Sequence, residues 1–144
     1  RHMRLEYVKH GVLESRVHCV PPPVPHDGCG RQATSRTKRG SPSRLLFMGR
    51  MFEWKGGSLL IAALPALRRV LGRPILVTFA GEGPERERWA AKALRLHGED
   101  PGLAIQFEGG GGRQRREELL ASHDVMVVPS TWPEPYGLVG WEAA

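Results

Sequence analysis

Four short apolar runs set the frame for this chain: LLFM at 45–48, ILVTFA at 75–80, LAIQF at 103–107 and VMVV at 125–128. Between the first two, Leu59, Leu60, Ala63, Leu64, Leu67 and Leu71 recur at helical spacing. Further helices are expected over 85–97, with acids in the first turn, and over 115–122. Runs this short and this continuously apolar suit strands covered on both faces, and strands joined by helices pair in parallel. The expected fold class is therefore α/β, a doubly wound parallel sheet of Rossmann-like type. In such a sheet ligands bind beyond the carboxyl ends of the strands. The loops to watch are those after residues 48, 80 and 107, and the segment after 128.

The rest of the chain is less regular. Residues 2–10 read as the end of a helix stopped at Gly11, and RVHCV at 16–20 reads as a strand running into Pro21, Pro22, Pro23 and Pro25. A Ser/Thr/Gly/Pro-rich stretch over 28–43 has no apolar periodicity, and it or its border carries Arg31, Arg36, Lys38, Arg39 and Arg44. These cations account for much of the net charge of +6. Aromatic rings do not alternate with them as a binder of single-stranded nucleic acid requires, so no nucleic-acid partner is expected. The stretch reads as a solvated basic linker, with contact to an acidic membrane surface as the alternative.

Cys19, Cys29, His18 and His26 do not make a metal site, because His18 and Cys19 would point apart in a strand and no CxxC pair is present. No apolar run reaches the eighteen or more residues of a membrane span, and no signal-peptide core stands near the start. With only two cysteines, the setting expected is a reducing cytosol, with the basic stretch as a place for peripheral membrane contact.

Chemistry concentrates in two places. In the final fifteen residues, STWPEPYGLVGWEAA, Pro133, Pro135 and Gly137 forbid regular structure until a helix begins at Leu138. A turn of this kind directs free N–H groups and the positive end of a helix dipole at one point, which suits a phosphate. Glu134 and Glu142 bracket that point. Carboxylates beside a phosphate would repel it unless they accept hydrogen bonds from neutral hydroxyls, and a sugar diol supplies such donors. The plainer reading is two ordinary acids near a helix N-terminus. The second place is the loop after the first strand, where Gly49-Arg50 is followed by Lys55-Gly56-Gly57. An arginine can hold a diphosphate through two parallel bonds and a lysine adds a compact charge, although both also suit a solvated helix start.

Taken together, these residues resemble a known family. Glu134-Pro-Tyr136-Gly137, then seven residues from Glu134 to Glu142-Ala-Ala, is similar to the E-P-F-G and E-x7-E signature of family 4 glycosyltransferases. Gly49-Arg50-x4-Lys55-Gly56 resembles the same family's G-R-x4-K-G motif, and Gly81-Glu-Gly83-Pro84 its G-x-G-P turn. The sequence departs from the pattern at Tyr136, where Phe is usual, at Trp141, and in the four glycines 109–112, which leave the nucleotide base open.

The resemblance implies an incomplete C-terminal domain of a GT-B glycosyltransferase over 44–144, a linker over 28–43, and the close of an N-terminal domain with its connection over 1–27. It also implies a retaining transfer of a hexosyl group from a nucleoside diphosphate sugar to an unknown acceptor, without a metal or other cofactor. Arg50, Lys55 and Glu134 would be catalytic. Gly49, Arg50, Lys55, Glu134, Tyr136, Gly137, Leu138 and Glu142 would hold the donor, with Glu134 on the hexose and Glu142 on the ribose. The chain is expected to be a fragment whose partner is the missing N-terminal domain, without turnover alone. Two rivals remain at this point: a glycoside hydrolase working through two carboxylates, and a non-catalytic basic module that binds RNA or an acidic membrane.

Overall fold

The computed structural model describes residues 2–20 and 41–132. Most of the basic stretch and all residues from Pro133 onward, including Glu134, Tyr136, Gly137, Leu138 and Glu142, lie outside the described residues.

The first segment forms α1, His2–Lys9, and ends at Gly11 in the left-handed region (φ 88°). Its closing turn is hydrogen-bonded from the Gly11 N–H to the Val8 carbonyl (3.0 Å) and from the Val12 N–H to the Tyr7 carbonyl (3.0 Å). The strand expected over 16–20 does not form. Glu14–Arg16 makes a 3-10 turn and residues 17–20 are irregular. Among the described residues no strand pairs with this run, and a lone extended segment leaves its backbone groups without a ladder.

From Ser43 the chain alternates as its apolar spacing requires: β1 (Ser43–Met48), α2 (Gly57–Leu71), β2 (Ile75–Ala80), α3 (Arg86–Glu99), β3 (Leu103–Glu108), α4 (Arg113–Ser122) and β4 (Val125–Met126). The sheet order is β3-β2-β1-β4, and every pairing is parallel. Phe47, Phe79 and Phe107 stand in register across three strands.

The period of two along each strand divides the core. Leu45, Phe47, Ile75, Val77, Phe79 and Leu103 face α2 and α3, where Leu60, Ile61, Leu64 and Trp89 complete one cluster. Leu46 and Ala80 face the other way and meet Leu119 of α4. Trp89 is fully buried and stands edge-on to Phe47, with centroids 5.5 Å apart and planes at 88°. Burying 150–250 Å² of ring surface contributes about 4–6 kcal/mol of hydrophobic stabilisation, so this one side chain anchors α3 to the sheet.

Two details differ from the spacing argument. On α2 the buried face is Leu60, Ile61 and Leu64, whereas Leu59, Ala63 and Leu71 are exposed. Three to four residues per turn cannot bring Leu59 and Leu60 equally inward, and the helix rolls toward Ile61. The expected four-residue buried strand at 125–128 pairs only through Val125 and Met126, and Val125 and Val128 are half exposed. Among the described residues β1 is its only neighbour, so its flanks are not enclosed. No helix among the described residues is long and apolar enough to cross a membrane.

Candidate functional site

The strand order fixes where a site can be. From β1 the sheet grows through β2 to β3 in one direction, with α2 and α3 on one face, and the chain then crosses by α4 on the other face to place β4 on the opposite side of β1. The direction of winding changes between β1 and β4. A crevice opens beyond the carboxyl ends of two such strands, because their connections depart to different sides.

The loops that leave the carboxyl ends are bonded to one another. The Gly49 N–H donates to the Ala80 carbonyl (3.0 Å) and the Gly81 N–H to the Glu108 carbonyl (3.0 Å), extending the ladder past the strands. The Met51 N–H then donates to the Glu82 carbonyl (2.8 Å), and the Glu85 N–H to the Met51 carbonyl (3.1 Å). On the other side of β1, the Val127 N–H donates to the Leu46 carbonyl (2.8 Å) and the Thr131 N–H to the Trp54 carbonyl (2.9 Å). The four segments form one continuous wall.

Three glycines permit that approach, and at Gly83 (φ 157°) a Cβ would overlap the Met51 carbonyl oxygen. Gly56 is left-handed (φ 73°), and a Cβ there would overlap the Pro129 carbonyl oxygen. Gly81 (φ 141°) would likewise drive a Cβ into the Gly49 carbonyl oxygen. The GxG of 81–83 therefore supports the first loop, a role distinct from a tight turn into α3.

The cations of the first loop lie in this wall. Arg50 is exposed, with its guanidinium carbon 5.4 Å from the centroid of the Phe52 ring. Lys55 is half-buried and closes the 3-10 turn Glu53–Lys55, its N–H donating to the Phe52 carbonyl (2.9 Å). Across the four-glycine loop 109–112, the Arg115 Nε donates to Glu108 (3.1 Å) and a terminal nitrogen to Glu118 (3.0 Å). Hydrogen bonds to Glu108 first and Glu118 next raise the Arg115 pKa.

The model of the family described as "Glycosyl transferases group 1" matches residues 31–144. The chain belongs to this family. The chain is 39% identical over 110 residues to a glycogen synthase of Mycobacterium tuberculosis, a match covering 76% of this chain and 25% of that protein. The chain thus spans about a quarter of that relative's length. Among solved structures it resembles the lipopolysaccharide outer core galactosyltransferase WaaB, with a TM-score of 0.64 at 16% identity over 98% of this chain and 38% of that one. It also resembles Anabaena HepE in complex with UDP and glucose, with a TM-score of 0.54 at 25% identity over 71% of this chain and 27% of that one. The α/β domain is of the GT-B glycosyltransferase type.

Of the residues expected at the site, Gly49, Arg50 and Lys55 come together in the β1–α2 loop. The loop is tied through Thr131 to the stretch of chain that leads to Pro133 and Glu134. The donor set Glu134, Tyr136, Gly137, Leu138 and Glu142 falls outside the described residues. Cys19 is exposed, Cys29 lies outside the described residues, and among the described residues no three His, Cys, Asp or Glu side chains converge as a metal site.

Sequence reasoning passed over two groups. One is the aromatic pair Phe52 and Trp54, stacked at 4.6 Å with planes at 11°. Its signal was two rings in a loop flanked by turn glycines. The other is a polar relay on the α4 face: Gln106 Nε2 donates to the buried Thr78 hydroxyl (2.8 Å), which lies 2.7 Å from His123 Nε2. His123 Nδ1 is 2.7 Å from the Leu119 carbonyl, which can only accept, so Nδ1 carries a proton and Nε2 is left to accept from Thr78 in the neutral ring. The relay fastens α4 to the sheet from mid-strand, away from the carboxyl ends.

Proposed function

We propose that this chain carries the donor half of a retaining hexosyltransferase, which moves a sugar from a nucleoside diphosphate to an acceptor hydroxyl. The observation that carries the reading is the bond between the Trp54 carbonyl and the Thr131 N–H (2.9 Å), because it joins the loop of Arg50 and Lys55 to the segment running into Glu134 at the winding switch of the sheet. Family membership and a neighbour solved with UDP and glucose support the same ligand class. Residues 44–144 would form the donor-binding domain, 28–43 a linker, and 1–27 the connection to a second domain that supplies the acceptor side.

In this reading the anomeric C–O bond breaks with its electron pair passing to the diphosphate oxygen, while the acceptor oxygen bonds to the same carbon and gives up its proton to the departing diphosphate. Arg50 and Lys55 offset the charge that grows on the departing diphosphate. With these two cations, and with Tyr136, Gly137 and Leu138 as further donor-binding residues, the transfer needs no bound metal in this reading. Glu134 holds the hexose hydroxyls and Glu142 the ribose. The test is calorimetric titration of the intact polypeptide with UDP and UDP-glucose. Saturable binding that Lys55→Ala weakens supports the donor site, whereas no binding of either ligand would remove it. The basic stretch, 28–43 with Arg44, remains the place for peripheral contact with a membrane in the cytoplasm, tested by sedimentation with anionic vesicles.

A further inference from the structure

α3 does more than cover the sheet. Glu85, the residue before it, and Arg88, Trp89 and Lys92 within it recur at the spacing of one helix face. Each meets the β1–α2 loop or the first turn of α2. The Glu85 N–H donates to the Met51 carbonyl (3.1 Å), and Arg88 pairs with Glu53 at 3.0 Å. The Lys92 ammonium donates to the Ser58 hydroxyl (3.3 Å). Trp89 lies between these contacts, with its six-membered ring against Gly57, the first residue of α2. The chain from Met51 to Ser58, which includes Lys55, is thus held by one face of one helix.

The glycine at 57 is explained by that ring. Gly57 does not share the positive φ of Gly56, so its backbone alone does not call for glycine. A Cβ there would instead overlap Cε3, Cζ3 and Cη2 of Trp89. These atoms form the outer edge of the indole, and Cζ3 and Cη2 lie beyond the reach of a phenyl ring. The indole is fully buried, yet its Nε1–H has no hydrogen-bond partner, a penalty that phenylalanine or leucine would avoid. Reach is what the larger ring adds: it fills the space between α3 and the start of α2. On the other side, Gly56 abuts the Pro129 carbonyl oxygen. Held between the Trp89 ring and that carbonyl, the chain at 56–57 has one place to stand, and Lys55 immediately precedes it. A misplacement of about 1 Å at a catalytic group can cost a hundredfold in rate, so the seat matters to the site.

We propose that Trp89 is a positioning residue for the donor site: its indole, seated against Gly57, sets the place of Lys55 and through it the grip on the diphosphate. This rests on the donor reading given above.

The experiment titrates the intact polypeptide with UDP by calorimetry and follows urea unfolding of each variant. Trp89→Phe, which keeps an aromatic ring in the core, is expected to weaken UDP about fivefold, but by less than about twofold once Lys55 is already alanine. A ring that only stabilises the core would lower the urea midpoint and leave the UDP Kd of the folded protein alone, or would act equally in both backgrounds; either result overturns the proposal. Gly57→Ala drives a methyl into the ring and is expected to weaken UDP about tenfold, and adding Trp89→Phe should recover most of that loss, because the shorter ring leaves room. A double variant no better than Gly57→Ala would overturn the shared seat. Should Gly57→Ala fail to fold, the cycle between Trp89→Phe and Lys55→Ala decides alone. Wild-type protein that binds UDP no better than Trp89→Phe leaves the donor site standing without this residue. Absence of UDP and UDP-glucose binding in the wild type would instead bring down the donor reading, and the proposal with it.

Discussion

The Pro129 carbonyl oxygen occupies the space where any side chain at residue 56 would begin, so Gly56 and Pro129 meet backbone to backbone across the crevice between β1 and β4. Gly56 also lies in the left-handed region (φ 73°), where a Cβ is strained even in open space. Gly56→Ala therefore carries both penalties, and the expected loss of stability is at least about 2 kcal/mol. Urea unfolding of wild type and variant measures it. An unchanged midpoint would mean that the two loops part without cost and that the wall is not tight.

Thr78 offers a control that separates stability from ligand binding. Its hydroxyl accepts from Gln106 and donates to His123 Nε2, at the middle of β2 rather than at its carboxyl end. Thr78→Val keeps the shape and deletes the hydroxyl, leaving the half-buried imidazole nitrogen without its donor. The cost is expected to be about 1–3 kcal/mol, with UDP affinity unchanged. A variant of wild-type stability would show that water replaces the hydroxyl at His123.

Much of this fold was legible because its strands are apolar without interruption. ILVTFA at 75–80 coincides with β2, since a central strand is enclosed from both faces and all its residues but the partly exposed Leu76 are buried. The same rule overstated β4, where VMVV looks identical in kind but has β1 alone beside it among the described residues. RVHCV at 16–20 failed for a related reason, since a strand exists only with a partner and composition does not reveal one. That Gly49, Arg50 and Lys55 lie in the loop after the first strand was readable from the alternation of apolar runs, whereas a donor role for them came only from the resemblance. Trp54 was not, because an indole in a loop reads as core until its exposure is known. Its contact with Thr131, 77 positions away, depends on β4 crossing to the far side of β1, a choice that no local pattern encodes.

The two cations should act on turnover more than on donor affinity. Charge builds on the diphosphate as the glycosidic bond breaks, and an interaction that strengthens in the transition state appears in kcat. Arg50→Ala and Lys55→Ala are each expected to lower kcat about a hundredfold, corresponding to roughly 3 kcal/mol. Arg50→Lys should recover only part, because a compact ammonium cannot make two parallel bonds. Steady-state kinetics of the intact enzyme with UDP-glucose decides this, and equal kcat for Arg50→Lys and wild type would exclude the paired geometry.

The two glutamates can be told apart by what each ligand fragment contains. UDP carries the ribose and lacks the hexose, whereas UDP-glucose carries both. If Glu142 accepts from the ribose hydroxyls, Glu142→Ala weakens UDP and UDP-glucose alike. If Glu134 accepts from the hexose, Glu134→Ala weakens UDP-glucose and leaves the UDP Kd nearly where it was. A hydrogen bond to a charged acceptor contributes roughly 1.5–3 kcal/mol, so each loss is expected to be about tenfold or more in Kd. Glu134→Ala should also lower turnover, since a hexose free to rotate is seldom aligned for attack. The segment carrying Glu134 begins at the Thr131 anchor on Trp54, so the stability of each variant must be followed in parallel by urea unfolding. Equal loss of UDP affinity in both variants would reject the division, and a matching fall in stability for Glu134→Ala would make that carboxylate a brace for the turn that follows Trp132.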